Sequence, residues 1–423
     1  MAPFHSTPLI LGLASSTSGS FEQSVTVLGV LLVLGALIAG LARRSFLSLT
    51  AVFVVTGFVL GKGGFEVLDF DPRSGFVETL AIVALILILF RDGLEVEAEM
   101  LQRAWHLPFR KLALGMPLTG ALIACAAAAM TDLSWTEAFL LGALLAPTDP
   151  VLSSSVVTNP RVPRLIRHSL NLESGMNDGL ALPAVLAFLA ALDADAGHFV
   201  WWKFILEDVS LGLAIGLAVG LVASFLMPRK VRLGREITAH QKSLYALGTA
   251  FAAYGIAVLL PRGNGFIAVF VCAIALGILR PDIRESFRTR AEDVIEIVKL
   301  AIFVVFGSLL TFGNLFGDGW AAVGVVVFTL LVARPVAVFA SLAGTRLDTG
   351  TKAFMAWFGP KGIATMTFAL IVLAENIPAG ERIFNLAALT VSCSILVHGL
   401  SDTPGANWIA RRAESGRVSA PRL

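Results

Sequence analysis

Within an apolar stretch the chain reads Glu173-Ser174-Gly175-Met176-Asn177-Asp178-Gly179. On a helix, Ser174 stacks on Asp178 and Glu173 on Asn177, each pair four residues apart. All four side chains fall within an arc of about 140°. Two carboxylates, a hydroxyl and an amide on one face are hard oxygen donors, the ligands a small cation takes in place of its water shell. A polar seam between helices would account for Ser174 and Asn177, but not for two carboxylates in an apolar run. A second cluster reads Ala146-Pro147-Thr148-Asp149-Pro150. Pro147 and Pro150 lack an N–H, and their rings displace the carbonyls of Ala143 and Ala146. Away from water, those carbonyls need a side chain, a cavity or a bound cation. Asp149 before Pro150 also has the form of an N-cap with proline at the first helical position, and capping is compatible with ion binding. A third cluster, Trp357-Phe358-Gly359-Pro360-Lys361-Gly362, breaks a helix and sets a lysine at the break. The alternative for Lys361 is snorkelling to an interface.

These residues must be carried by elements of unusual kind. The chain has 423 residues, of which 56% are apolar and 15% charged, and its mean hydropathy is +0.82. A water-soluble protein of this size could not hide that much apolar surface. Apolar runs of helix length recur throughout, each able to cross a hydrocarbon core about 30 Å thick, and none shows the alternation of a membrane barrel. The expected fold class is therefore an all-α membrane protein. About thirteen spans are expected, near 23–42, 46–62, 76–91, 109–130, 134–157, 165–192, 200–227, 240–260, 264–280, 293–313, 318–344, 351–376 and 383–403. With the N-terminus outside, twenty-three of the 32 Lys and Arg fall in inward segments and five in outward ones. That bias is the positive-inside rule, and it predicts the C-terminus inside. Residues 1–22 lack a basic start, so a cleaved leader is not expected. The loop 228–243 could touch anionic lipid, although ordinary positive-inside bias explains its charge.

Arg91, Lys299, Arg334 and Lys361 remain in or at the edge of spans, with Asp149, Glu173 and Asp178. A charge at a helix centre costs about 2.5–3.5 kcal/mol, so each needs a partner, a cavity or a transported ion. Glu173 is the best partner for Arg334, which leaves Asp178 as the titratable group. Arg91, Asp92 and Lys299 are expected at interfaces, and Glu78 in water. The three cysteines, Cys125, Cys272 and Cys393, lie in apolar runs and are expected to be small buried residues, not a disulfide or metal set. No phosphate loop, dinucleotide fingerprint, Cys/His cluster or basic patch for nucleic acid is present, so neither an enzyme nor a resident cofactor is expected. Spans four to six and eleven to thirteen each place a broken helix second of three. Such symmetry points to inverted repeats whose two interrupted helices cross at a site, where Asp149 and Lys361 would neutralise opposed helix ends.

The clusters at 146–151, 173–179, Arg334-Pro335 and 357–362 resemble the monovalent cation/proton antiporter family, on the sodium/proton exchanger branch. Gly263-Asn264-Gly265-Phe266-Ile267-Ala268-Val269 is similar to that family's ninth span. The resemblance runs over essentially the whole chain. It implies that Asp178 binds cation or proton, that Thr148 and Ser174 complete the cation shell, and that Asp149 and Asn177 shape the site. Glu173 and Arg334 would form a structural ion pair. It implies a homodimer in the inner cell membrane, working in pH homeostasis. Residues 1–108 and 193–317 would form dimer-domain helices and linker, 109–192 and 318–403 the mobile core, and 404–423 a short cytoplasmic tail. Lys361 departs from the arginine common in this branch. The partners implied are a monovalent cation (sodium first, then potassium or lithium), the proton and membrane lipid. The rival readings are a sodium-coupled symporter of an organic anion, a cation channel, and a non-transporting sensor, which would need an output domain.

Overall fold

The computed structural model describes residues 26, 29–30, 33, 49–96, 106–149, 156, 159–192, 200–228, 237–260, 263–375 and 377–415. Most of the span expected at 23–42, residues 229–236 of the loop 228–243, and Pro150 with Val151 lie outside the described residues. Among the described residues the chain is helical, with no strand. In order, the helices longer than four residues are α1 (Leu49–Leu60), α2 (Gly75–Glu95), α3 (His106–Met130), α4 (Trp135–Leu145), α5 (Arg164–Leu192), α6 (Trp201–Leu226) and α7 (Ala239–Leu259). Then follow α8 (Gly265–Leu279), α9 (Pro281–Arg290), α10 (Glu292–Ser308), α11 (Trp320–Ser341), α12 (Thr349–Trp357), α13 (Ile363–Ala374) and α14 (Gly380–Glu414). Six of these are long and apolar enough to cross a membrane, and α8 with α9, bent by 116°, makes a seventh candidate.

Local chemistry sets the helix starts. Ser134 and Glu137 form a reciprocal capping box at α4, and Thr238 with Gln241 does the same at α7. Asn264 accepts from the Ile267 amide at α8, and Asp348 from the Thr351 amide at α12. Each satisfies an amide that the first helical turn leaves without a partner. Two of the breaks expected from proline and glycine are present. Helix α4 stops at Leu145, and α12 stops at Trp357 with irregular backbone until α13. Extended π-helical turns occur at Lys111–Gly115 within α3 and at Thr329–Ala333 immediately before Arg334.

The core is laid down by α2 against α8, α1 against α10, α3 against α4 and α13 against α14. Where α3 and α4 cross, Gly142 lies against the carbonyl of Gly120, and a Cβ there would meet the backbone. Helix α14 runs unbroken through Pro404 to Glu414, so the expected tail at 404–423 is helical over most of its length. Its end is tied down: Arg412 Nη2 lies 3.0 Å from Asp348 Oδ1, and Arg161 Nη2 lies 3.1 Å from Glu414 Oε1. Of the cysteines, Cys272 is buried, Cys393 half-buried and Cys125 exposed. Cys125 is thus not the buried residue expected from its apolar run, because such a run in a membrane protein can face lipid as well as protein.

Candidate functional site

The two breaks lie across each other. The Asp149 amide donates to Pro360 O at 2.8 Å, and Asp149 Oδ2 accepts from the Ile363 amide at 3.3 Å. Asp149 therefore sits at the N-terminal end of α13. From the other side, Lys361 Nζ donates to Ala146 O at 3.3 Å and Pro147 O at 3.2 Å, and Thr365 Oγ1 donates to Leu144 O at 3.1 Å. The carbonyls at the end of α4 thus meet an ammonium and a hydroxyl. An anion at the positive helix end and a cation at the negative one is the favourable arrangement of both dipoles. Lys361 is 1% exposed, so snorkelling is excluded. Gly359 and Gly362 are small for a reason visible here: a Cβ on Gly359 would enter the Arg334 guanidinium, and one on Gly362 would enter Asp149.

The polar arc of α5 is divided between tasks. Glu173 is buried between two cations, with Oε2 2.5 Å from Lys111 Nζ and Oε1 3.1 Å from Arg334 Nη1. Arg334 Nη2 also reaches Met355 O and Phe358 O, each at 3.4 Å, at the end of α12. Asn177 Nδ2 donates to Thr148 O at 2.7 Å and Thr148 Oγ1 at 3.0 Å, fixing the unwound segment against α5. Ser174 and Asp178, four residues apart, instead line a cavity of about 360 Å³ together with Thr148 and Asp149. Arg284, Glu285 and Arg288 of α9 also line it. Seven carboxylates and four basic side chains line it, so its field favours cations over anions.

Four basic residues are placed otherwise than the sequence suggests. Lys111, expected in a loop, is buried against Glu173. Arg280, also assigned to a loop, is buried and donates to Ser224 O, Met227 O and Asp282. Arg91 and Lys299, expected at interfaces, line the cavity. Arg91 Nη2 lies 2.7 Å from Asp92 Oδ1, and Lys299 Nζ 3.7 Å from Glu296 Oε2. Asp92 is itself buried in the cavity wall. These residues stand near the ends of apolar runs, where hydropathy cannot separate a solvated charge from one that lines a buried cavity. Glu78, by contrast, is exposed as expected.

A family model described as the transmembrane sodium/hydrogen exchanger matches residues 30–408. The chain belongs to the sodium/hydrogen exchanger family. This exchanger is 26% identical over 408 residues to the K(+)/H(+) antiporter NhaP of Alkalimonas amylolytica, covering 95% of this chain and 69% of that one. It is 26% identical over 392 residues to the Na(+)/H(+) antiporter NhaG of Bacillus atrophaeus, covering 88% of this chain and 72% of that one. Among solved structures, the sodium proton antiporter MjNhaP1 of Methanocaldococcus jannaschii at pH 8 superposes with a TM-score of 0.78 at 20% identity, covering 93% of this chain and 99% of that one. The exchanger therefore has the sodium/proton antiporter fold. The crossed breaks, the Glu173 ion triad and the Asp178 cavity lie within the matched residues.

Proposed function

We propose that this antiporter exchanges one monovalent cation for one proton, the two competing for Asp178 as the core rocks between two faces of the membrane. The observation that carries the reading is the cavity, where Asp178, Ser174 and Thr148 meet at the crossing of two broken helices. Asp178 supplies the charge and takes either the proton or the cation. Thr148 and Ser174 supply neutral oxygens to the cation. Asp149 and Lys361 hold the helix ends, Asn177 holds Thr148, and the Glu173–Arg334 pair with Lys111 braces α5 against α12. Either loaded form is near neutral and can move with the core, whereas an empty, charged carboxylate cannot be carried past lipid cheaply. Coupling follows from that penalty. Asn177 carries no second titrating carboxylate, which makes the exchange electroneutral. Sodium is the first candidate cation. Potassium is its rival, because similar proteins are named for each. Both ions are cargo, and no resident cofactor takes part.

In this reading the protein is a homodimer in the cell membrane, with its N-terminus outside and C-terminus inside. Helices α1–α2 and α6–α10 form the dimer domain and linker. Helices α3–α5 and α11–α14 form the mobile core. The bias of basic residues supports the orientation, which would put Arg284 and Arg288 of the cavity lining on the cytoplasmic side.

The test is proton flux in proteoliposomes holding a pH gradient, on adding sodium, potassium or lithium, with Asp178→Asn beside the wild type. The expected result is collapse of the gradient by one or more cations with wild type and none with Asp178→Asn. Equal flux from both proteins overturns the role of Asp178. Exchange that responds to an imposed voltage overturns the one-for-one stoichiometry.

A further inference from the structure

The break between α12 and α13 is held from outside the crossing, by three side chains on one face of α14. Positions 394, 398 and 401 are four and three residues apart and so share a helix face. The Ser394 hydroxyl accepts from the Lys361 amide at 2.9 Å. His398 Nε2 lies 3.0 Å from Trp357 O. Ser401 Oγ accepts from the Trp357 indole N–H at 2.9 Å. Together they grip the last residue of α12 and the residue that carries the capping ammonium, across the irregular segment at 358–362. Ser394 is fully buried and His398 almost so, and the His398 and Trp357 rings lie 5.4 Å apart.

The donors and acceptors assign themselves. Trp357 O can only accept, so His398 Nε2 carries a hydrogen. The Ser394 hydroxyl, whose oxygen serves Lys361, can donate to His398 Nδ1 at 3.1 Å. A doubly protonated ring would keep the Nε2 bond and turn Nδ1 on Ser394 O at 2.9 Å. The grip on Trp357 therefore holds in either protonation state. Irregular backbone in a buried setting leaves amides and carbonyls without helical partners. This face of α14 satisfies the Lys361 amide on one side of the break and, on the other, gives Trp357 O a second donor beside the Gly359 amide at 2.9 Å.

We propose that Ser394, His398 and Ser401 form a clip that positions the broken helix for cation binding, with His398 as its central positioning residue. The clip sets where Pro360 O and Lys361 stand, and these hold Asp149 and the Pro147 carbonyl beside Thr148. Loosening it should weaken the cation shell more than it slows the loaded transporter. The proposal rests on the crossing being the cation site, and Asp178→Asn tests that separately: equal exchange by wild type and Asp178→Asn would remove the site before His398 is at issue.

The experiment is proteoliposome exchange as a function of sodium and potassium concentration, for His398→Leu, His398→Gln, Ser394→Ala and the Leu/Ala double variant, with a thermal unfolding midpoint for each. The expected result for His398→Leu is a rise of about tenfold in the cation concentration for half-maximal exchange, with the maximal rate within about twofold; a shift of that size corresponds to about 1.4 kcal/mol. Glutamine can place an N–H toward Trp357 O and should recover most of the loss. Ser394→Ala should raise the same concentration, and the double variant should add less than the sum of the single effects. An unchanged half-maximal concentration in His398→Leu overturns the proposal, as does an equal loss in His398→Gln and His398→Leu, which would mark a packing role. If His398→Leu does not fold, Ser394→Ala decides: an unchanged half-maximal concentration there overturns the clip.

Discussion

Glu173 is the residue on which two buried cations depend. Two cations, Lys111 and Arg334, converge on its two oxygens, and all three side chains are buried. Removing one partner of a buried ion pair leaves the others uncompensated, which costs about 3–5 kcal/mol. Glu173→Gln is expected to lower the unfolding midpoint in detergent far more than Lys111→Met, which leaves Glu173 paired with Arg334. Equal midpoints for the two variants would remove Glu173 from the centre of the triad. Asp348 is a second informative residue, in the turn before α12. Burial raises its pKa, but hydrogen bonds from Thr351 and Arg412 outweigh that and hold its carboxyl below the usual range. A carboxylate depressed in the folded state contributes stability above its unfolded pKa and loses it as pH falls through the lower folded value. Its contribution is thus complete at neutral pH and fades only below about pH 4, the ordinary aspartate value. Asp348→Ala is expected to cost about 1 kcal/mol as a lost cap in unfolding at pH 7, and much less at the acid end.

At the scale of elements, the crossing of the two breaks is where packing and chemistry meet. Helix α4 ends against Lys361 and Thr365, and α13 begins against Asp149. No carbonyl or amide gained there is close in sequence to its partner. Glycine is required where the segments touch, because any Cβ on Gly362 would overlap Asp149. Gly362→Ala is expected to displace Asp149 from the α13 terminus and reduce maximal exchange at least tenfold, while most of the fold remains. Exchange at the wild-type rate in Gly362→Ala would show that the Asp149 cap is dispensable. Arg334 is set by its own element, following an extended turn at Thr329–Ala333 that precedes Pro335. Such a turn, followed by proline, leaves the guanidinium directed at the end of α12 and at Glu173 together.

Across the whole molecule, the cavity joins α2, α5, α9 and α10 to the crossing. Its excess of carboxylates makes a field that concentrates cations, and such fields weaken as salt shortens the Debye length to about 8 Å at 0.15 M. Glu292 and Glu296 line this cavity on α10, alongside Lys299. Neutralising both to glutamine is expected to raise the cation concentration for half-maximal exchange at low ionic strength, with the effect shrinking as an impermeant salt is added. A salt-independent effect would point to direct coordination by these glutamates. The fold that holds the cavity matches MjNhaP1 over 93% of the chain at only 20% identity, so the architecture tolerates wide change in sequence.

The all-helical membrane fold, the two broken helices and the residue types of the site were legible in the sequence. Each follows from a local cost: a charge in an apolar run, a proline without an N–H, a glycine beside it. Partnership was not legible in this way. Lys361 and the carbonyl of Pro147 are 214 residues apart, and Lys111 and Glu173 are 62 apart. The arc at 173–178 looked like one face, yet packing turned Ser174 and Asp178 to the cavity, Glu173 to its two cations and Asn177 to Thr148. The cavity roles of Asp92 and Lys299, and the exposure of Cys125, were decided the same way. Hydropathy records how costly a side chain is to place in an apolar layer, but only the tertiary structure determines whether protein, cavity or lipid lies beside it.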